Sequence, residues 1–120
     1  MTHQEIIDYC LTFPAAYEDY PFGDIIDPGK WTVMRHGTNK KPFTLVYERN
    51  GKLCVNLKCG PLEADFLRQA FESVTKGYHM NHEHWNTIVL GTDVPDAKTK
   101  RHFGNSYDLI KPKKKNHRQE

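Results

Sequence analysis

Between Tyr78 and Asn86 the chain crowds groups that do chemistry: His79, His82 and His84, with Asn81, Trp85 and Asn86 among them. Neutral imidazole binds zinc or nickel, so His79-x-x-His82-x-His84, with Glu83 inside it, is weighed first as a metal centre. The spacing runs from a turn into a strand, where successive side chains point to opposite faces, so three rings in this pattern need not converge. No metal and no cofactor are expected. The same residues suit a binding surface, because Trp and His each join a flat apolar face to a hydrogen-bonding edge. A cleft lined by Tyr20, His79, His84, Trp85 and Asn86 would take a small ligand or a protein segment. Cys59, beside Lys58 and just before a helix start, has two features that lower a thiol pKa, but its base would have to come from a distant histidine. With no Gly-rich phosphate loop, no Ser/His/Asp signature and no paired carboxylates in an apolar setting, no catalytic residue is assigned.

A second chemistry is phosphate contact, and weak DNA binding through it is the leading expectation for function, with the cleft as the alternative. Lys40 and Lys41 sit in one hairpin loop, Arg49 and Lys52 flank the next, and Lys98, Lys100 and Arg101 follow in the last helix. Cations at hairpin tips touch phosphates without reading sequence. The two tips fall at opposite ends of one strand, about 20–25 Å apart at about 3.4 Å per residue, so a duplex would have to run alongside that strand. The charge needs dividing. Residues 111–120 hold five Lys/Arg and one Glu, which leaves twelve cations against fourteen carboxylates in residues 1–110. The basic balance therefore belongs to a tail expected to be flexible, and the near-neutral body argues against tight non-specific nucleic-acid binding.

These groups must be positioned by a chain of 120 residues, enough for one domain with its own core, assigned to residues 1–110. Three cysteines with no Cys-x-x-Cys pair, no leader-like N-terminus and no long apolar run point to a reduced, cytoplasmic protein without a membrane span, expected as a monomer. Thr2 and Glu5 have capping-box spacing, and Ile6, Ile7, Cys10 and Leu11 recur at helical intervals, giving a helix over Thr2 to Thr12. Tyr20-Pro21-Phe22-Gly23 and Asp27-Pro28-Gly29 read as turns. Strands follow at Trp31 to His36, Phe43 to Glu48 and Leu53 to Lys58. A three-residue loop with a bulge at Gly51 would pair Glu48 with Lys52 and Leu45 with Val55, gathering every large apolar chain on one face. That register is expected. Gly60-Pro61 opens a second helix, to about Ser73, with Leu62, Phe66, Ala70, Phe71 and Val74 as its buried stripe. Short strands near Tyr78 to Met80 and from His84 or Trp85 to Leu90 come next. Pro95-Asp96 then supplies a stop and an N-cap for a last helix that turns Phe103, Tyr107 and Ile110 inward. Helix, three strands, helix, two strands, helix makes an α+β two-layer sandwich with an antiparallel sheet.

Four segments together carry a resemblance: Tyr20-Pro21-Phe22-Gly23; Leu57-Lys58-Cys59 with Pro61; Gly77-Tyr78-His79-Met80-Asn81 through His84-Trp85-Asn86-Thr87; and Ser106-Tyr107-Asp108-Leu109. The chain resembles the MmcQ/YjbR family from about Glu5 to Leu109. The resemblance implies a secretion-chaperone-like α-β(3)-α-β(2)-α sandwich and a double-wing DNA-binding label, with no reaction or target common to the family. This chain departs from the family pattern at His82, where Lys or Arg is more usual, and in the basic stretch Lys98-Thr99-Lys100-Arg101. The second departure favours an acidic partner such as DNA.

Overall fold

The structure is a computed structural model and describes residues 1–23 and 31–113. The expected turn at Asp27-Pro28-Gly29, and the tail beyond Lys113, lie outside the described residues. Thr2 caps α1 (His3–Cys10) as its spacing predicts: its hydroxyl accepts from the Glu5 amide at 3.1 Å, and its own amide donates to the Glu5 carboxylate at 2.8 Å. The turn at Tyr20 to Gly23 forms, closed by the Gly23 amide on the Tyr20 carbonyl at 3.2 Å.

The described strands are β1 (Ala16–Asp19), β2 (Trp31–His36), β3 (Pro42–Arg49), β4 (Lys52–Lys58), β5 (Val74–Lys76) and β6 (Trp85–Val89). They form one antiparallel sheet in the order β1-β2-β3-β4-β6-β5. With α2 (Pro61–Ala70) and α3 (Asp96–Ile110) the element order is the expected α+β sandwich plus one edge strand, β1. That four-residue strand has no clean apolar alternation. Only its pairing with β2, Ala16 opposite His36 to Asp19 opposite Val33, defines it.

The β3–β4 register differs from the expected one. Arg49 lies opposite Lys52, and Val46 opposite Val55, around a two-residue Asn50-Gly51 turn in which both residues have positive φ, +54° and +74°. That is the type I′ geometry whose twist matches a hairpin. The expected bulge assumed a single buried face, whereas this sheet buries both. Val46, Val55 and Leu57 pack under the helices, while Leu45, Tyr47 and Cys54 join Val33 and Trp85 in a second cluster that contains no helix residue. A bulge does occur between β2 and β3, where Met34 faces Thr44 and Arg35 faces Pro42. It turns Phe43 toward the helices, against Phe13 and Tyr107.

Two further expectations are corrected. The α2 stripe is corrected in part: the helix ends at Ala70, Ala64 and Leu67 face the sheet, and Leu62 and Phe66 are 90% and 66% exposed, while Phe71 and Val74, beyond the helix, do pack into the core. Ala64 lets the helix backbone approach β6, so that the Ala64 carbonyl accepts from the buried Asn86 amide at 3.0 Å. The short strand is Val74–Lys76 and not Tyr78 to Met80, because the Tyr78 amide leaves the ladder and donates to the Thr87 hydroxyl at 2.9 Å. In α3, Pro95 occupies the N-cap and Asp96 is the first helical residue, its carboxylate 3.5 Å from the chain's amino group. Phe103, Tyr107 and Ile110 point inward as expected. Ser106 ties α3 to the sheet, accepting from the Lys58 amide at 2.9 Å and donating to the Phe43 carbonyl at 2.5 Å.

Candidate ligand groove on the open sheet face

Alternation along β2, β3, β4 and β6 sends Trp31, Leu45, Tyr47, Asn56, Trp85 and Thr87 to the face away from the helices. A buried polar network at its centre holds the Gly77 to Glu83 loop across the sheet. The Tyr47 and Thr87 hydroxyls each donate to the Asn56 side-chain oxygen at 2.6 Å, and the Asn56 amide donates to the Tyr78 carbonyl at 3.0 Å. Burial pushes the Tyr47 phenol up to about 12, so it stays protonated and serves as a donor at neutral pH. Gly77 allows the loop to leave β6 closely, since a Cβ there would lie 2.7 Å from the Trp85 Cβ.

Around this network the aromatic rings are ordered. Trp31 stacks on Tyr47 at 4.1 Å with 5° between planes, and Phe22 meets Trp31 edge-on at 5.8 Å. Tyr78 touches the His79 ring at 4.0 Å, and the Arg49 guanidinium lies 4.0 Å from the Tyr78 centroid. Among the described residues, Phe22, Trp31, Leu45, Tyr78, His79 and Met80 enclose an open groove of about 400 Å³. His79 is held at φ +62°, a conformation that non-glycine residues adopt at a cost and that concentrates at functional sites.

Of the residues expected to line one cleft, only His79 and Trp85 reach this face, and Trp85, 7% exposed, is packed beneath the surface. Asn86 lies opposite Leu57 and so faces the helices, where Arg68 donates to its oxygen at 2.6 Å. The Tyr20 hydroxyl donates to the Glu18 carboxylate. His84 is half-exposed, with its ring nitrogen 3.4 Å from the Glu83 carboxylate. Neighbours in sequence part here because Trp85 and Asn86 are consecutive in a strand. Phe22, Trp31, Leu45, Tyr78 and Met80 went unassigned. The alternations Trp31-x-Val33 and Leu45-x-Tyr47 carried the signal, masked by the assumption that all bulky chains share one face.

The seven cations fall in separate places. Arg49 and Lys52 are direct cross-strand partners, and Arg49 is engaged with Tyr78. Lys40 and Lys41 stand at the other end of β3, in a loop fixed by Asn39, whose amide donates to the Ile110 carbonyl at 2.7 Å. Lys98 and Lys100 lie 5.7 Å and 5.5 Å from the Phe71 and Tyr9 rings, and Arg101 is exposed in the helical layer. The loop is therefore tied to the last residue of α3, next to Lys111, whose amino group is paired with Asp108 at 3.1 Å.

Burial, with Glu63 adding to it, pushes the Cys59 thiol up to about 11, which removes the activation expected from the helix start and Lys58. Among the described residues no three His, Cys, Asp or Glu side chains gather to hold a metal, and no helix is long and apolar enough to cross a membrane.

The YjbR family model matches residues 11–109. The Escherichia coli (strain K12) protein YjbR is 29% identical over 98 residues, covering 82% of this chain and 77% of its own. The Bacillus subtilis (strain 168) protein YyaQ is 29% identical over 121 residues, covering 92% and 99%. Among solved structures, a Pseudomonas syringae protein superposes with a TM-score of 0.79 at 26% identity, over 92% of this chain and 100% of that one. A Deinococcus radiodurans protein with a DUF419 domain gives 0.79 at 28%, over 91% and 78%. A match spanning most of the chain, and the same sheet and helix arrangement in these relatives, place the protein in the YjbR family.

Proposed function

We propose that the protein is a binding module that takes a flat, largely apolar ligand into the groove on the open sheet face. The observation that carries this reading is the groove's construction. Phe22, Trp31, Tyr78 and His79 are exposed or half-exposed, Trp31 stacks on the buried Tyr47, and a buried polar network pins the Tyr78 carbonyl beside a His79 held at positive φ. Rings that served the core alone would not need the Tyr78 loop anchored by Asn56. A volume of about 400 Å³ falls within the range of small-molecule sites, and His79 supplies a hydrogen-bonding edge in an otherwise apolar lining. Indole, naphthalene and cyclohexanol, titrated by calorimetry, test the class. The planar probes should bind with a negative heat-capacity change and lose affinity on Trp31→Leu, while cyclohexanol binds weakly. Equal binding by wild type and Trp31→Leu would exclude the groove.

A second reading is phosphate contact, favoured by the bond from Asn39 to the Ile110 carbonyl that ties the Lys40 and Lys41 loop to the end of α3. In this form a nucleic acid would meet one end of the molecule, with Arg49 and Lys52 outside the contact. Duplex DNA binding that survives Lys40→Glu with Lys41→Glu would sink it.

A further inference from the structure

The outer face of α2 carries an apolar ridge that stays largely exposed among the described residues. Leu62 and Phe66 are one helical turn apart, 90% and 66% exposed, while Ala64 and Leu67 make the inward contact. At 100° per residue, Asp65 and Gln69 flank the ridge on one side, and Glu63 and Ala70 on the other. Each side therefore carries a carboxylate. The one cation of α2, Arg68, donates inward to the His82 carbonyl at 3.2 Å and to Asn86, and its other terminal nitrogen lies 3.9 Å from the Asp65 carboxylate, which also accepts from Gln69 at 2.9 Å and is still 62% exposed. Single exposed apolar residues are ordinary, but a Leu/Phe pair in register with an acidic rim on both sides is an arrangement with a complement.

We infer that this ridge docks a basic amphipathic helix of a partner protein, with apolar side chains seated against Leu62 and Phe66 and Lys or Arg reaching Glu63 and Asp65. A second copy of the chain fits worse. A two-fold pairing of α2 with itself would set Glu63 and Asp65 against their own duplicates, and two side chains per copy fall far short of the roughly 1,200 Å² of a stable interface. A small, charge-rimmed contact of this kind is transient, and its association rate rises as salt falls. The ridge lies in the helical layer, on the side of the sheet away from the groove.

The test uses the full chain and a fluorescein-labelled Leu/Lys peptide designed as an amphipathic helix, with the same composition scrambled to abolish its apolar face. Anisotropy should show the amphipathic peptide binding about tenfold or more tighter than the scrambled one. Leu62→Ser with Phe66→Ser should erase that preference without lowering the melting temperature. Glu63→Lys with Asp65→Lys, which leaves both apolar side chains in place, should weaken binding about tenfold or more and reduce its salt dependence. Equal affinity for both peptides, or affinity unmoved by both double variants, overturns the proposal. So does sedimentation showing a dimer of the chain that Leu62→Ser with Phe66→Ser abolishes, since the ridge would then belong to a second copy.

Discussion

Asn56 is the residue on which the groove depends. It is fully buried, accepts two hydroxyl protons and donates to the Tyr78 carbonyl, so Asn56→Leu strands three polar partners at once. The expected cost is about 2–4 kcal/mol by denaturant titration, with affinity for planar probes lost even at temperatures where the variant is folded. His102 presents the opposite case. It is buried, and neither ring nitrogen has a hydrogen-bond partner. Burial lowers its pKa below 6.5, with Lys98 and Arg101 acting in the same direction and Glu63 against them. A histidine held neutral in the fold contributes stability that is present above its unfolded pKa and lost as pH falls below about 6.5 toward the depressed folded value. The melting temperature should therefore drop across that window, and His102→Phe should flatten the drop and raise stability at neutral pH by about 1 kcal/mol or more. Burial also lowers the pKa of His3, so a residual slope in that variant belongs there. A pH profile unchanged by His102→Phe would show that this ring does not titrate on unfolding.

At the scale of elements, the strands and helices were legible where periodicity and punctuation agreed: Thr2 with Glu5, Gly60-Pro61, and the inward Phe103, Tyr107 and Ile110. The misread register and the misread helix stripe have separate causes. A sheet buried on both faces gives strands that do not alternate cleanly, so apolar patterning chose a bulged loop where the type I′ turn of Asn50 and Gly51 prevailed. In α2 the larger apolar residues drew the assignment, although the small Ala64 is what permits close contact with β6. The candidate site was half legible: His79 and Trp85 share a face, but Asn86 could not join them across a strand, and Tyr78 was passed over beside the histidines. Gly77 gives a direct check on the loop that carries Tyr78. Its missing Cβ is what admits Trp85, so Gly77→Ala should cost about 1–3 kcal/mol and displace the loop, seen as shifted Tyr78 to Met80 amide resonances. A variant as stable as the parent, with those resonances unmoved, would mean the contact is slack.

For the whole molecule, two faces and one end offer themselves to partners of different chemistry: a groove for planar apolar groups, an acidic-rimmed ridge, and cations at the end of α3. Salt separates the last from the first. If Lys40 and Lys41 each neutralise one phosphate of a DNA duplex, Lys40→Glu with Lys41→Glu should make the slope of log K against log salt shallower by about 1.8, while indole binding should hardly respond to salt. An unchanged slope would assign the phosphate contacts elsewhere, and truncation after Lys113 would show whether they lie in the tail. The central claim is the groove, and the most direct measurement is an indole titration followed by the side-chain N–H resonances of the two tryptophans. The account predicts saturable shifts at Trp31 together with the Tyr78, His79 and Met80 amides, a small response at the buried Trp85, and loss of all of them in Trp31→Leu. Saturable binding that leaves Trp31 and the Tyr78 to Met80 loop unshifted, or no binding at all by any planar probe, would contradict it.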